Sequence, residues 1–199
     1  MNKKATEFIA DSISQSIEVK RRILADKAFM ALISRVAEAA VKALRAGRKI
    51  LLAGNGGSAA DAQHIAGELI NRFRFDRPAL PAVALSTDTS VLTCIANDSS
   101  FENVFARQVE ALGAAGDMFI GISTSGKSPN VLNALKTCRK RRIVTVGLTG
   151  QNSAMMEKLC DYCLAVPCAD TPRIQEAHIM IAHVLCDIIE KSLFGTRKA

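Results

Sequence analysis

Hydrophobic residues follow two different spacings along the chain, and these spacings alternate from one segment to the next. Short apolar runs bounded by glycine, proline and polar residues predict buried β-strands, whereas longer segments with apolar residues at helical spacing predict amphipathic helices. The predicted strands cover residues 50–53, 82–85, 118–122, 143–148 and 163–166. Helices are predicted to begin at Ala59, Val91, Phe101, Asn130, Ala154 and Pro172. This alternation predicts an α/β fold with one doubly wound sheet of five parallel strands.

Two further amphipathic helices, at residues 4–25 and 29–46, precede the first predicted strand. A doubly wound sheet has no regular place for two helices at its start. We therefore expect them to pack across the sheet or against a partner subunit. The sequence predicts a single domain over residues 1–199, with a helical N-terminal extension at 1–46 and an α/β core at 47–199.

Composition restricts the class of protein. The apolar content of 49% and the charged content of 23% are ordinary for a soluble globular chain. No apolar run approaches the ~20 residues that span a bilayer, and the N-terminus has no signal-peptide core, so we expect a cytoplasmic protein without a membrane partner. Six cysteines are scattered, and Cys160 and Cys163 form a lone C-x-x-C. We interpret them as mostly buried, reduced thiols, with a redox role as the alternative.

The net charge of +7 at first suggests a nucleic-acid partner. Residues 1–50 carry 11 basic and 5 acidic residues, a net charge of +6, so the other 149 residues carry only +1. A second basic cluster, at Lys136 and 139–142, falls at the end of a predicted helix, where cations favour the helix dipole. Aromatic residues are few and no nucleic-acid-binding motif is visible. A solvated basic face is the better interpretation, and no nucleic-acid partner is expected.

The stretch after the first strand contains the first candidate chemistry. A glycine-rich turn, Gly54-Asn55-Gly56-Gly57, leads into a helix that Ser58 is predicted to cap. Free N–H groups at such a helix start, together with the helix dipole, favour an anion such as phosphate. A plain tight turn is the alternative. Farther along, His64 and Glu68 share one helix face at i, i+4 spacing, as a possible base and its neighbour or as an ordinary surface pair.

A second polar stretch follows the third strand, Ser123-Thr124-Ser125-Gly126-Lys127-Ser128, with Pro129 near the first turn of the next helix. Hydroxyl groups and helix N–H groups hold a phosphate well. A serine-rich cap and turn is the alternative. Because the carboxyl ends of parallel strands meet at one edge of the sheet, we expect the two polar loops to come together. On the last helix, Gln175 and His183 are near enough to share a face.

Three stretches together resemble sugar isomerase (SIS) domains, and more narrowly the phosphoheptose isomerases. They are Gly54-Asn55-Gly56-Gly57-Ser58, Ser123-Thr124-Ser125-Gly126-Lys127-Ser128 and Arg173-Ile174-Gln175-Glu176-Ala177-His178. The resemblance covers nearly the whole chain. It implies a flavodoxin-like SIS fold in a cytoplasmic homotetramer whose active sites form between subunits.

That family converts sedoheptulose 7-phosphate to D-glycero-D-manno-heptose 7-phosphate, the first step toward ADP-heptose and the heptose of the lipopolysaccharide core. The resemblance implies that Glu68 is the base that moves a proton through an enediol and that His183 is the partner acid and base. The implied substrate-binding residues are Asn55, Gly56, Gly57, Ser58, Glu68, Arg72, Asn97, Asp98, Ser123, Thr124, Ser125, Ser128, Asp170 and Gln175. The implied ligands of a zinc ion are His64, Glu68, Gln175 and His183.

Two alternatives lie in the same fold family. A SIS tetramer that binds the bacterial replication initiator is similar along its length, including residues 92–98, but lacks the acid at Glu68 and the histidine at His183. A SIS-type regulator that senses a sugar phosphate would keep the serine and glycine loops without needing that pair. Residues 139–142, Arg-Lys-Arg-Arg, depart from the glycine turn common in isomerases and slightly favour a binding role.

Overall fold

Five parallel strands form the centre of the molecule in the computed structural model, which describes residues 3–195. In chain order the strands are β1 Ile50–Gly54, β2 Ala82–Ala84, β3 Met118–Ser123, β4 Val144–Thr149 and β5 Tyr162–Ala165. Their order across the sheet is β2-β1-β3-β4-β5. The chain therefore winds outward in both directions from β1 and β3, which confirms the predicted doubly wound sheet.

Eight helices and a short 3₁₀ turn accompany the sheet within the described residues. The helices are α1 Lys3–Ala25, α2 Lys27–Arg45, α3 Gly57–Ile70, α4 Thr89–Asp98, α5 Val104–Leu112, α6 Pro129–Lys140, α7 Ala154–Glu157 and α8 Thr171–Phe194. The 3₁₀ turn, Phe101–Asn103, occupies the start of the segment that the sequence predicts as one helix from Phe101. The first turn of that segment is wound more tightly, with Asn103 N–H donating to the Ser100 carbonyl.

Alternating residues of the strands face two separate apolar layers. Ile50, Leu52 and Ile120 pack in one layer with residues of α2, α3 and α8, whereas Leu51 and Phe119 pack in the other with residues of α5 and α6. Because both faces of the sheet are covered, the strands are apolar without interruption, as the short runs in the sequence indicate. The layers hold the strand ends rigidly, so the loops at the carboxyl edge have a fixed base.

The N-terminal helices pack on the first of these layers. The Arg173 guanidinium on α8 donates a 2.6 Å hydrogen bond to the Ser12 carbonyl on α1, and α2 contributes Val36 and Ala40 to the core. The outer face of α1 remains exposed and apolar, at Phe8, Ile9, Ile13, Ile17 and Leu24. Within residues 3–195, no helix combines the length and apolar content that crossing a membrane requires. The single domain over 1–199 stays a prediction, and residues 1–2 and 196–199 lie outside the described chain.

The basic cluster lies in the turn between α6 and β4. Arg142 has a φ of 60°, in the left-handed region that favours glycine. The turn thus keeps the backbone shape that a glycine would adopt, with an arginine in its place. The arginines and lysine at residues 139–142, which replace the glycine turn common in isomerases, therefore add charge to the amino end of the sheet.

Candidate active site

The two polar loops meet at the carboxyl edge of the sheet, where β1 and β3 are neighbours. The Asn55 side-chain amide donates to Asn130 Oδ1 at 3.0 Å, and the Asn130 amide donates to Asn55 Oδ1 at 2.9 Å. Asn130 Oδ1 also accepts from the Val131 N–H at 2.9 Å, and Asn130 is 2% exposed. This reciprocal amide pair joins the loops. It lies at the point where the strand order reverses, the usual ligand site of such sheets.

The first loop turns so tightly that glycine is required. Gly56 has a φ of 54°, and α3 begins at Gly57. The prediction that Ser58 caps this helix is wrong, because Gly56 is the N-cap and no side chain of the described residues caps it. Ser58 lies inside the first turn, 4% exposed. A side chain at Gly57 would collide with the amide of Gln175, so the last helix lies directly against this loop.

The second loop collects hydroxyl groups at the start of α6. Ser123 Oγ lies 2.9 Å from Ser128 Oγ and 3.4 Å from Ser125 Oγ, and Ser125 Oγ accepts from the Lys127 N–H at 3.2 Å. Ser128 is the N-cap of α6, and no side-chain hydrogen bond from the described residues caps that helix. Hydroxyls that bond one another beside a helix N-terminus have donors available for an incoming anion.

Gly126 fixes the shape of this second loop. Its φ of 66° is left-handed. An added Cβ would collide with the Asn152 carbonyl and approach Thr149 Oγ1 to 2.9 Å. Thr124 takes part through its carbonyl, which accepts from the Gly150 N–H at 3.1 Å. The loop is thus held from below by the segment after β4.

Three side chains converge where α3 and α8 face each other. His64 Nε2 lies 3.1 Å from Glu68 Oε1 and 3.2 Å from His183 Nε2. The rings of His64 and His183 are 5.1 Å apart, and the ring of Phe73 is 5.6 Å from that of His183. Glu68 and His183 are half-buried, whereas His64 is exposed. The structure therefore brings together the predicted base, its partner and the neighbouring histidine.

The separations in this cluster suit a metal ion. One ligand atom from each of His64, Glu68 and His183 lies within 4.8 Å of the others. In a tetrahedral site with bonds of about 2.0–2.1 Å, neighbouring ligand atoms are about 3.3 Å apart, close to the two short separations seen here. Two imidazole nitrogens and a carboxylate are ligands that zinc accepts. The residues present therefore fit a bound divalent metal.

Burial raises the pKa of two titratable groups next to the cluster. On α3, burial raises the pKa of Asp61, and the positive charge of His64 offsets part of that rise. On α8, burial raises the pKa of the Cys186 thiol to about 12, so this cysteine stays protonated at neutral pH. Asp61 and Cys186 lie beside the predicted metal ligands and are not among them.

Three other predicted site residues lie on α8 or at the ends of α3 and α8. Arg72 is exposed in the loop that follows α3. Asp170 is the exposed N-cap of α8, and its carboxylate is 3.7 Å from the Arg173 guanidinium. Gln175 contacts the first loop at Gly57, and its place among the metal ligands stays a prediction.

Asn97 and Asp98 stand apart from the cluster, at the exposed end of α4. The Asn97 amide donates to the Asp98 carboxylate at 2.8 Å. Asp98 also lines an open groove of about 600 Å³ between α4 and α5. No described contact joins either residue to the His64 cluster, so their roles stay predictions.

Sequence reasoning missed two residues of this site. Asn130 gives a weak signal, an asparagine directly after Pro129 where a helix begins at a strand end. Phe73 gives none, because a single aromatic residue in a polar loop has no pattern that points to His183.

Comparison with known proteins identifies this combination of fold and site. The family described as "SIS domain" matches residues 13–150. The fold and the site thus define a sugar isomerase domain. The phosphoheptose isomerase of Aneurinibacillus thermoaerophilus is 55% identical over 191 residues, which are 96% of each chain. Phosphoheptose isomerase 2 of Campylobacter jejuni is 55% identical over 188 residues, 94% of each chain.

A solved structure agrees with these relatives. The phosphoheptose isomerase from Neisseria gonorrhoeae superposes with a TM-score of 0.88 at 42% sequence identity, covering 94% of this chain and 99% of that one. The chain belongs to the phosphoheptose isomerase family. These similarities do not favour the initiator-binding alternative.

Proposed function

We propose that this chain is an aldose–ketose isomerase that converts sedoheptulose 7-phosphate to D-glycero-D-manno-heptose 7-phosphate through an enediol. The observation that carries the proposal is the convergence of His64 with Glu68 at 3.1 Å and with His183 at 3.2 Å, on the two helices that meet at the first loop through Gly57 and Gln175. An isomerase that shifts a proton next to a carbonyl needs a base, an acid and an anchored substrate. The relatives named phosphoheptose isomerase supply the identity of the sugar.

In this proposal the loops at the switch point anchor the phosphate. The hydroxyls of Ser123, Ser125 and Ser128 and the N–H groups at the start of α6 donate hydrogen bonds to its oxygens. Ser58 and the backbone at Gly56 and Gly57 close the other side. The amide pair of the two loops keeps these donors at a fixed separation, so binding does not have to organise them.

The proton transfer belongs to Glu68 and His183. Glu68 takes the proton from the carbon next to the carbonyl and returns it to the neighbouring carbon. His183 donates a proton to the carbonyl oxygen and removes one from the adjacent hydroxyl, so the enediol forms and collapses without net proton loss. His64 lies between them and can hold either the carboxylate or the second imidazole in its orientation.

We further propose that His64, Glu68 and His183, joined by Gln175, hold a zinc ion. Zinc would polarise the substrate carbonyl and fix adjacent hydroxyl groups when bound. The separations of the His64, Glu68 and His183 ligand atoms support this assignment, and Gln175 lies on α8 against the first loop.

The chain is proposed to act as a homotetramer with active sites between subunits. Two surfaces support assembly. The apolar face of α1 exposes Phe8 by 73% and Leu24 by 68%. None of the residues of α4 is buried in the described chain, although the helix carries Val91, Leu92 and Ile95. Apolar surfaces of this kind are typical of subunit contacts.

The proposed reaction supplies the first intermediate of ADP-heptose and lipopolysaccharide core synthesis in the cytoplasm. Six free cysteines suit that reducing compartment. Light scattering on the purified chain would test the tetramer, since a monomer of 21.3 kDa and its tetramer differ fourfold in mass.

The test of the activity is product formation from sedoheptulose 7-phosphate, measured with added zinc and with a chelator. Turnover that the chelator abolishes and zinc restores is the expected result. Turnover that is indifferent to the chelator would contradict the zinc assignment alone. No turnover under either condition would contradict the proposed activity, and a pull-down with the replication initiator would follow.

A further inference from the structure

A fully buried ion pair lies behind the His64 cluster. The side chains of Arg77 and Glu190 are 2% and 1% exposed, and Arg77 Nε is 3.0 Å from Glu190 Oε1. Burying two charges is costly, and apolar residues of similar size often stabilise a fold equally well. Stability alone therefore does not explain why the chain contains this pair. Its other hydrogen bonds indicate a further role.

Two of the three hydrogen bonds that Arg77 makes to carbonyl groups are with the backbone at and next to Glu68, and the third is with its neighbour Pro78. Arg77 donates to the carbonyl of Glu68 at 2.8 Å and to that of Leu69 at 2.6 Å. Carbonyls in the last turn of a helix have no partner within the helix, and a cation there is also favoured by the dipole. Arg77 thus caps the end of α3 through the backbone of the proposed base.

Glu190 holds the loop that follows α3. Its Oε1 accepts from the Phe73 N–H at 2.9 Å, and its Oε2 accepts from the Arg74 N–H at 2.7 Å. The ring of Phe73 in turn lies 5.6 Å from that of His183. Glu190 is seven residues beyond His183 on α8, about two helical turns along the same face.

The ion pair therefore joins the helix that carries Glu68 to the helix that carries His183. We propose that Arg77 and Glu190 are positioning residues for the isomerisation. Their fork of hydrogen bonds sets the separation of Glu68 and His183 and presses Phe73 against the imidazole. An apolar pair could fill the space but could not hold two carbonyls and two N–H groups. The consequence for turnover rests on the proposed function, whereas the consequence for the geometry does not.

The chain contains a matched control for this proposal at the amino end of the sheet. Asp117 is also a carboxylate with a 1% exposed side chain. It accepts from the backbone N–H groups of Lys49 at 3.1 Å and Ala114 at 2.8 Å, and from Lys49 Nζ at 2.6 Å. Glu190→Gln and Asp117→Asn therefore each remove a buried carboxylate charge that accepts from two backbone N–H groups and one cation, although Lys49 is 28% exposed and Arg77 is 2% exposed. Only the first is next to the cluster.

The experiment compares these two variants with the wild type in three measurements. Thermal unfolding reports the cost to stability, and kcat and KM for sedoheptulose 7-phosphate report function. The third measurement is the NMR spectrum of ¹³C-labelled histidine, which has few signals because the chain has only three histidines. We expect both variants to lose thermal stability, with the larger loss in Glu190→Gln because Arg77 stays buried without its partner. Only Glu190→Gln should shift the resonances of His64 and His183 and lower kcat about 10- to 100-fold, with KM changed by less than about threefold.

Several results would overturn the proposal. One is a Glu190→Gln variant with wild-type kcat and unshifted histidine resonances. Another is an Asp117→Asn variant that loses as much kcat as Glu190→Gln, since the effect would then reflect stability alone. If the wild type does not turn over this substrate, the proposed function fails, and the resonances of His64 and His183 decide the positioning role by themselves. Arg77→Lys, which keeps the charge but loses the fork, serves in place of Glu190→Gln if that variant does not fold.

Discussion

The polar groups at the two ends of the sheet differ in how they are hydrogen-bonded. At the amino end, Asp117 accepts from two backbone N–H groups and from Lys49, so the turns there are closed by the chain itself. At the carboxyl end, the hydroxyls of Ser123 and Ser128 bond mainly to each other. Thr149 Oγ1 is buried there without a hydrogen-bond partner among the described residues.

This difference indicates that the amino end of the sheet contributes to stability and the carboxyl end to function. Buried polar groups that are fully paired rigidify a fold, whereas groups left with spare donors or acceptors are available to a ligand. Substitutions at the amino end should therefore change the free energy of unfolding and leave turnover alone. Substitutions at the carboxyl end should change turnover or binding more than their effect on stability explains.

The largest effect is expected from Glu68→Gln. The amide keeps the size of the side chain but cannot accept the substrate proton, so kcat should fall about 10²- to 10⁴-fold. Binding of sedoheptulose 7-phosphate, measured by calorimetry, should persist because the loops that hold the phosphate are untouched. A variant with near-normal kcat would show that Glu68 is not the base.

The control for this variant is Glu38→Gln at the other end of the sheet. Glu38 is likewise a helical glutamate with one side-chain partner, the Ser34 hydroxyl at 3.2 Å, and it lines a surface cleft with Arg48 and Gly116 at the amino end. We expect wild-type kcat and KM. Loss of turnover in Glu38→Gln would contradict the separation of the two ends.

The sequence predicts the strands and loops at the carboxyl end of the sheet better than it predicts the long-range contacts that hold them in place. Apolar runs define all five strands, and glycine and serine motifs mark both loops, because strand period and turn chemistry are local properties. The His64–Glu68 pair is also local, one helical turn apart. The approach of His183 to this pair depends on how α8 packs, and the sequence alone supports it only through the family resemblance.

Contacts between distant segments are what the sequence does not reveal. Arg77 and Glu190 are separated by 113 residues, and no periodicity links an arginine after α3 to a glutamate near the end of α8. The Asn55–Asn130 pair spans 75 residues. The misplaced cap at Ser58 has a local cause, since serine is the commoner cap, but here the left-handed Gly56 lets the helix start earlier.

The next largest expected effect is a loss of folding stability in mild acid. It is caused by a buried histidine at the carboxyl end of the sheet. Burial lowers the pKa of His178 to about 4, against a smaller opposing effect of its 3.2 Å hydrogen bond to the Thr149 carbonyl. The unfolded chain binds a proton near pH 6.5 and the folded chain does not. Stability is therefore full above pH 6.5 and is lost as the pH falls toward 4, by about 3 kcal/mol.

Urea unfolding at pH 7 and pH 4.5 measures this loss. His178→Gln keeps a donor for the Thr149 carbonyl but has no ionisable ring, so its stability should change less between the two pH values. An equal acid dependence in the variant and the wild type would exclude His178 as its source.

A smaller effect on stability, but a specific effect on binding, is expected from Gly126→Ala. The left-handed backbone costs an alanine about 1–2 kcal/mol, and the new methyl would push against the Asn152 carbonyl. The loop should shift and KM should rise about tenfold. Gly47→Ala is the control, because Gly47 has a similar φ of 69° with nothing within 4 Å of an added Cβ. If KM rose equally in both variants, the effect would reflect a general loss of stability.

Asp117→Asn is expected to leave turnover unchanged. Burial raises the pKa of Asp117, but the hydrogen bonds from Lys49 and Ala114 and the Lys49 charge together outweigh it, so the folded pKa lies below 3.8. The carboxylate therefore stabilises the fold above pH 3.8, and this contribution is lost as the pH falls through the folded pKa. The variant should lose about 1–3 kcal/mol at pH 7, and the difference from the wild type should shrink below pH 3.8. A variant that instead lost kcat at unchanged stability would show that the amino end also takes part in function, which the closed hydrogen bonds around Asp117 argue against.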